Sequence, residues 1–208
     1  MNLVLLGATG RTGKELLGRA LDSGHNVTIV VRDPSKVSIK NDRLQIVRGN
    51  AKDVTVLTKA FKNQEAVLST LGISRKNMDY LLIQESTKAI IIAAEINGVK
   101  RVIIMSSFAA LQEQLGLVTK KLTGVVLGRV ITDVLAAAQL LKKSNLNWTL
   151  VYAVRLTNKP KSGNVRVIPR SEKLRLTNHI SRSDVANYML NQLEKIETFK
   201  KSVVIASK

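Results

Sequence analysis

The chain opens with an apolar run at residues 3–6, then Gly7-Ala8-Thr9-Gly10-Arg11-Thr12-Gly13, then an amphipathic stretch at 14–21. No other part of the sequence limits the fold so tightly. A strand that feeds straight into a glycine-rich turn and a helix leaves the first N–H groups of that helix without intrahelical partners. Together with the positive end of the helix dipole, those donors make a seat for a pyrophosphate. In this setting Gly7 permits the tight turn, Gly10 lets the backbone approach the phosphates, and Gly13 lets the helix pack close to the strand. The strand-turn-helix context is what gives the motif its meaning, and it predicts a dinucleotide site.

Apolar runs and helical patterns alternate along the rest of the chain, the signature of a parallel sheet with helices on both faces. Strands are predicted at 2–6, 27–31, 44–47, 66–71, 101–105 and 148–154, with helices over 13–23, 53–62, 78–96 and from about 117 to 143. Only a short polar connection separates the second and third strands, so the usual second crossover helix is abbreviated. Asp53 is expected to cap its helix, and Val54, Leu57 and Phe61 to form its buried face. Residues 158–173 are basic and turn-rich and hold two of the 3 prolines. They read as an insertion over the C-terminal end of the sheet, with a short strand at 165–168. Ser181 or Ser183 starts a last helix to about 193, and 203–206 is predicted as an edge strand. The expected fold is a Rossmann-like doubly wound α/β sheet. It forms a single domain, with a small substrate-side elaboration at about 155–182.

With 208 residues the chain can bury roughly 70% of its unfolded surface, so it needs no disulfide or metal to hold a core. It has 0 cysteines, which removes thiol catalysis and cysteine-ligated zinc and suits a reducing compartment. The first strand begins at once, leaving no room for a signal peptide, and the longest apolar stretch, 124–141, carries Arg129 and Asp133. These features predict a soluble cytoplasmic protein. The net charge is +18, from 33 Lys and Arg against 15 Asp and Glu. A nucleic-acid binder would gather such charge and interleave aromatics, yet aromatics are 3% and the basic residues run along the whole length. One enrichment is local: Arg155, Lys159, Lys161, Arg166, Arg170, Lys173, Arg175 and Arg182, diluted only by Glu172. It fits either a solvated basic surface or a cationic rim around a cavity for an anionic substrate. His25 and His179 have no acidic cluster beside them, so no metal site is expected.

The end of the second strand selects the cofactor in such folds: a carboxylate suits NAD, an arginine the 2′-phosphate of NADP. The sequence there is Val30-Val31-Arg32-Asp33-Pro34. Asp33 stands where an NAD reader would be sought, but before a proline it also has a reason to start a turn. Arg32 comes first, and Arg11 can add a second cation on the same phosphate. The balance favours NADP and leaves NAD open.

The glycine motif, Val31-Arg32-Asp33-Pro34 and Gly49-Asn50-Ala51 are followed by Met105-Ser106-Ser107-Phe108 and Ser144-Asn145-Leu146-Asn147-Trp148-Thr149. Arg155-Leu156-Thr157 and Ile180-Ser181-Arg182-Ser183-Asp184-Val185-Ala186 come next. In order and spacing this set resembles the atypical short-chain dehydrogenases of the NmrA-like group, especially the small flavin reductase/biliverdin-IXβ reductase branch. The resemblance covers nearly the whole chain and is weakest at 115–132. It implies that residues 9–12 hold the pyrophosphate, Arg32 the 2′-phosphate, and Asn50 and Ala51 flank the adenine. It further implies that Leu71 and Gly72 lie near the nicotinamide-side ribose. Ser106 and Ser107 would face the nicotinamide, with Ser107 the candidate catalytic residue, and Tyr152, Ala153, Val154 and Arg155 would back the ring. The chain departs from the pattern at Asn50, where Asp is frequent, and at Ala153 and Val154, where a proline is frequent.

Short-chain dehydrogenases of the ordinary kind pair a Tyr with a Lys four residues on. Four residues after Tyr80, Tyr152 and Tyr188 stand Gln84, Leu156 and Gln192. Carbonyl reduction by that route is therefore not expected. Nor does Ser106-Ser107 come with the histidine or the elbow motif of a hydrolase. Hydride transfer to a flavin or quinone asks less of the protein, because the cofactor carries the chemistry. The leading expectation is an NADPH-dependent reductase of such an acceptor, the basic segment attracting its phosphate. The alternative is a non-catalytic NADP(H) sensor, as some NmrA-like proteins are. Sugar-nucleotide isomerisation and nucleic-acid binding rank below both.

Overall fold

The computed structural model describes residues 1–73, 79–111, 113–115, 117–175 and 177–208, with the backbone alone for 117–127. The predicted start of the 78–96 helix and residues 112 and 116, just before the predicted 117–143 helix, lie outside the described residues. β1 (Asn2–Leu6) is buried from its second residue onward. A strand covered on both faces needs a continuous apolar run rather than an alternating one, which is what Leu3-Val4-Leu5-Leu6 supplies. α1 (Arg11–Asp22) buries Leu16, Leu17, Ala20 and Leu21 against it, and Gly24 closes the helix at φ +81°. β2 (Asn26–Val31) runs parallel to β1, with Leu3 opposite Val27. A single 3₁₀ turn at Pro34–Lys36 replaces the second crossover helix before β3 (Leu44–Arg48).

α2 (Val54–Ala60) starts at Asp53, whose side chain accepts from the Thr55 and Val56 N–H groups at 2.8 and 3.1 Å. β4 (Ala66–Ser69) is followed by α3 (Leu82–Asn97), which ends on left-handed Gly98. Then come β5 (Arg101–Ser107), α4 (Leu117–Lys143) and β6 (Asn147–Ala153). The last part of the chain holds β7 (Arg155–Thr157), β8 (Val165–Ile168), β9 (His179–Ser181), α5 (Arg182–Asn191) and β10 (Lys201–Ser207).

The main sheet has 8 strands in the order β3-β2-β1-β4-β5-β6-β10-β8. All neighbours are parallel except β8, which is antiparallel to β10. The chain builds outward in one direction from β1 and in the other from β4. The crevice at the carboxyl ends of these two strands is therefore the topological switch point where such sheets bind ligands. α1 packs on α5, and α3 packs on both α2 and α4.

Two expectations are corrected. Residues 203–206 are not an edge: β10 lies between β6 and β8, with Val203 opposite Val151 and Ile205 opposite Val167. Nor does 165–168 lie over the end of the sheet, since it extends the sheet as its outermost strand. A strand with partners on both sides needs two complementary edges, and sequence adjacency gave no sign that β8 would return to supply the second. The two-stranded parallel pair β7-β9 was also unforeseen. Trp148, the chain's one tryptophan, is buried, at 5% exposure.

Candidate functional site

β1 ends at Leu6 and the chain turns at Gly7, where φ is +82°. A Cβ at Gly7 would lie 2.9 Å from the Leu71 nitrogen, so this turn needs glycine for space as well as for φ. The Gly10 N–H donates to the Gly7 carbonyl at 2.9 Å. A Cβ at Gly13 would fall 2.0 Å from that same carbonyl, so α1 starts hard against the end of β1. Thr70 Oγ1 stands 3.3 Å from the Leu6 carbonyl oxygen and 3.4 Å from that of Gly7, donating across to fix the loop to the end of β4. The N-cap of α1 is Gly10, which has no side-chain cap hydrogen bond, and the first turn of the helix carries no acid. The positive end of α1 is thus left open for an anion from outside the chain.

Above this turn lies a cleft of about 940 Å³. Of the predicted residues it is lined by Gly7, Thr9, Gly10, Arg11, Thr12, Arg32, Asn50, Ala51, Leu71 and Gly72. Gly13 sits behind the turn as packing. Ser106, Ser107, Tyr152, Ala153, Val154 and Arg155 are not part of the lining. The cleft also takes in Val30, Val31, Gly49, Thr70, Ile73, Leu82, Leu156 and Arg182. Most of these are neighbours of predicted residues at strand ends, a positional signal the sequence does carry. For Arg182 the only signal is its place in the basic 155–182 enrichment, which does not separate it from its neighbours; it reaches the cleft at the start of α5, which packs on α1.

Among the described residues three arginines line the cleft and no carboxylate does. Asp33 is committed to its own turn, accepting from the Ser35 N–H at 3.2 Å and the Ser35 hydroxyl at 2.6 Å. The Ser35 hydroxyl and then Lys36 hold its carboxyl below the usual range. Asp79 is held low too, first by Lys52, which lies 2.8 Å from both Asp79 and Glu85, and less strongly by the charge of Arg32. Arg182 donates to Asn158 Oδ1 at 2.6 Å. Burial, and then repulsion from Arg11, lower its hold on its proton. Asn50 shapes its turn by accepting from the Lys52 N–H at 3.2 Å.

On the far side, Ser106 and Tyr152 are cross-strand partners on β5 and β6. Tyr152 is 3% exposed. Burial raises its pKa, against the opposing effect of its contact with the Ser106 side chain. Ala153 and Val154 are core residues. Ser107 is exposed, and its hydroxyl accepts from the Ala109 N–H at 3.3 Å, so it caps the following turn. Arg155 is exposed on β7, opposite His179. Within the basic segment, Arg166 is matched by Glu172 in a two-pronged pair at 2.8 and 2.9 Å. Asp184 ties this segment to α5. Its carboxylate accepts from the Ser162 and Gly163 N–H groups at 3.1 and 3.0 Å, and from the Ser162 and Ser181 hydroxyls at 3.0 and 2.7 Å.

Comparison with known proteins agrees with this geometry. The family model described as NAD(P)H-binding matches residues 7–195. An uncharacterized chloroplastic protein of Arabidopsis thaliana is 30% identical over 216 residues, covering 97% of this chain and 75% of that protein. An anaerobillin reductase from Escherichia coli O157:H7 superposes with a TM-score of 0.83 at 20% identity, covering 100% of this chain and 97% of that one. A short-chain dehydrogenase/reductase from Veillonella parvula in complex with NADP has a TM-score of 0.82 at 21% identity, covering 99% and 94%. Among the described residues no helix is long and apolar enough to cross a membrane.

Proposed function

Because the chain belongs to the NAD(P)H-binding family, we propose that its cleft holds NADPH and that the protein is a reductase passing hydride to a flavin or quinone acceptor. The observation that carries this reading is a cleft lined, among the described residues, by three arginines and no carboxylate, at the open start of α1. The residues fit the cofactor: positive-φ Gly7 makes the turn, Gly13 brings α1 close, and the free N–H groups of the first helical turn face the diphosphate. Arg32, at the end of β2, reads the 2′-phosphate. Asp33 is occupied with Ser35 and Lys36 and does not compete for a free ribose, which favours NADPH over NADH. The NADP found in the Veillonella relative of this fold is consistent with that choice.

When bound, the reduced nicotinamide supplies a hydride, and the acceptor takes it together with a proton from solvent. The protein's part is to bind, orient and exclude water. Ser106, paired with buried Tyr152, and Ser107, at the mouth of β5, stand on the acceptor side. Within the single domain, Leu156 and Arg182 at the two ends of the 155–182 segment line the cleft, and the charge of the segment attracts an anionic small molecule such as FMN. The anaerobillin reductase that shares this fold supports a reductase reading. The lack of a Tyr-x-x-x-Lys pair in this chain points that reading away from simple carbonyls. An absence of cysteine fits work in the reducing cytoplasm.

The test is the loss of NADPH absorbance with purified protein and excess FMN, followed by a quinone panel, against protein-free controls. Protein-dependent oxidation is the expected result. NADPH binding without turnover across both acceptor classes would sink the reductase and leave the sensor reading. That second reading draws on the Ser107 hydroxyl, which is already used as a cap.

A further inference from the structure

We infer that Arg11 and Arg182 together form a seat for one phosphate-class anion, supplied by the diphosphate of the dinucleotide or by an anionic group of the acceptor. Arg11 is the first residue of α1 and Arg182 the first of α5, and both line the cleft. The two helices pack on each other, and the Arg19 guanidinium, near the far end of α1, donates to the Ser183 hydroxyl beside Arg182. Among the described residues neither Arg11 nor Arg182 has a carboxylate within ion-pair distance, whereas Arg166 and Lys52 do.

Bringing two guanidiniums together in a cleft without a counter-charge costs free energy, which a bound anion offsets. Arg182 is also pre-positioned. One N–H is spent on Asn158, leaving further donors of its planar fork for a phosphate. Arg32 stands apart from this pair, directly after β2 rather than at the start of a helix. The three arginines of the cleft therefore divide in function. Arg32 serves the 2′-phosphate, and Arg11, which the sequence suggested as its helper, works with Arg182 instead. The dinucleotide source rests on the proposed function; the anion seat itself does not.

The experiment titrates wild type, Arg182→Gln, Arg182→Lys and Asn158→Ala by calorimetry with inorganic diphosphate, ADP-ribose, NADPH and NADH, and by flavin fluorescence with FMN. Arg182→Gln is expected to weaken inorganic diphosphate by about tenfold or more, as for loss of a charge-assisted contact, with partial recovery in Arg182→Lys. Asn158→Ala, which removes only the contact that holds Arg182 in place, should lose less than Arg182→Gln. Equal losses for NADPH, NADH and ADP-ribose identify the dinucleotide diphosphate as the occupant. Unchanged dinucleotides with weakened FMN identify the acceptor. The inference is overturned if Arg182→Gln binds every probe like wild type, or if Arg182→Lys recovers none of the loss, which would make Arg182 a purely structural residue. Failure of wild type to bind NADPH would remove the cofactor reading while the diphosphate titration still judged the seat.

Discussion

Arg32 and Asp33 are neighbours with opposite charges, and either could have chosen the cofactor. What separates them is local: Asp33 is followed by proline and serine, and its carboxylate folds back onto Ser35. Arg32 is left facing the cleft. A guanidinium–phosphate contact of this type contributes about 1.5–3 kcal/mol. Arg32→Ala should therefore weaken NADPH by roughly ten- to a hundredfold while changing NADH little. Fluorescence titration of both dinucleotides checks this, and equal losses would remove the 2′-phosphate assignment. Gly13 is a residue whose role is written in its local sequence. Its close-packing role was legible from motif spacing, and a Cβ there would overlap the Gly7 carbonyl at 2.0 Å. Arg182 is the opposite case. The basic 155–182 segment suggests a cationic rim, but nothing in the sequence singles out Arg182 as the arginine of that segment that enters the cleft.

At the scale of elements, local signals were legible and distant ones were not. Asp53 caps α2 from the adjacent position, so its role follows from sequence alone. α3 is different: the N-cap position is Leu81, and its start is satisfied instead by Asp133 of α4, which accepts from the Ile83 and Gln84 N–H groups at 2.9 and 2.8 Å. A cap supplied from 50 residues away has no sequence signature. Asp184 combines both scales. It lies in the first turn of α5, where an acid is expected, yet it also anchors Ser162 and Gly163. Burial alone would push its carboxyl up, but the hydrogen bonds from Ser181, Gly163 and Ser162 outweigh this and hold it low. A depressed carboxylate contributes stability that is complete above its unfolded pKa of about 3.9 and is lost as pH falls through the folded value. Asp184→Asn should thus destabilise the protein by about 1–3 kcal/mol near neutrality, and this gap should shrink below about pH 4. Urea midpoints of both proteins between pH 7 and pH 3 measure it; a gap that stays constant to the acid end would contradict the linkage.

For the molecule as a whole, a ligand held between the ends of β1 and β4 and the starts of α1 and α5 should stabilise the entire sheet. NADPH at about one hundred times its Kd is expected to add about 2.7 kcal/mol, roughly a 5–10 °C rise in Tm for a chain of this size. The rise should diminish with added salt, because the lining cations and the +18 net charge act through screened fields. A salt-independent Tm shift would argue against an arginine-dominated site. The opposite end of the sheet is held by a buried cation instead. Arg101 bonds the Asn147, Gln192 and Leu193 carbonyls and the Thr149 hydroxyl and stacks on Phe199, and burial lowers its pKa to about 10. The sequence by itself determined the parallel α/β order, the glycine turn and the abbreviated second crossover. Each of these is written in residues adjacent along the chain, through strand burial, helix periodicity and backbone freedom. Only the tertiary structure decided that β10 is internal, that Asp133 caps α3 and that Arg182 joins Arg11 at the cleft. These depend on which surfaces meet when the chain closes on itself, and contacts between remote segments leave no periodic trace in the sequence.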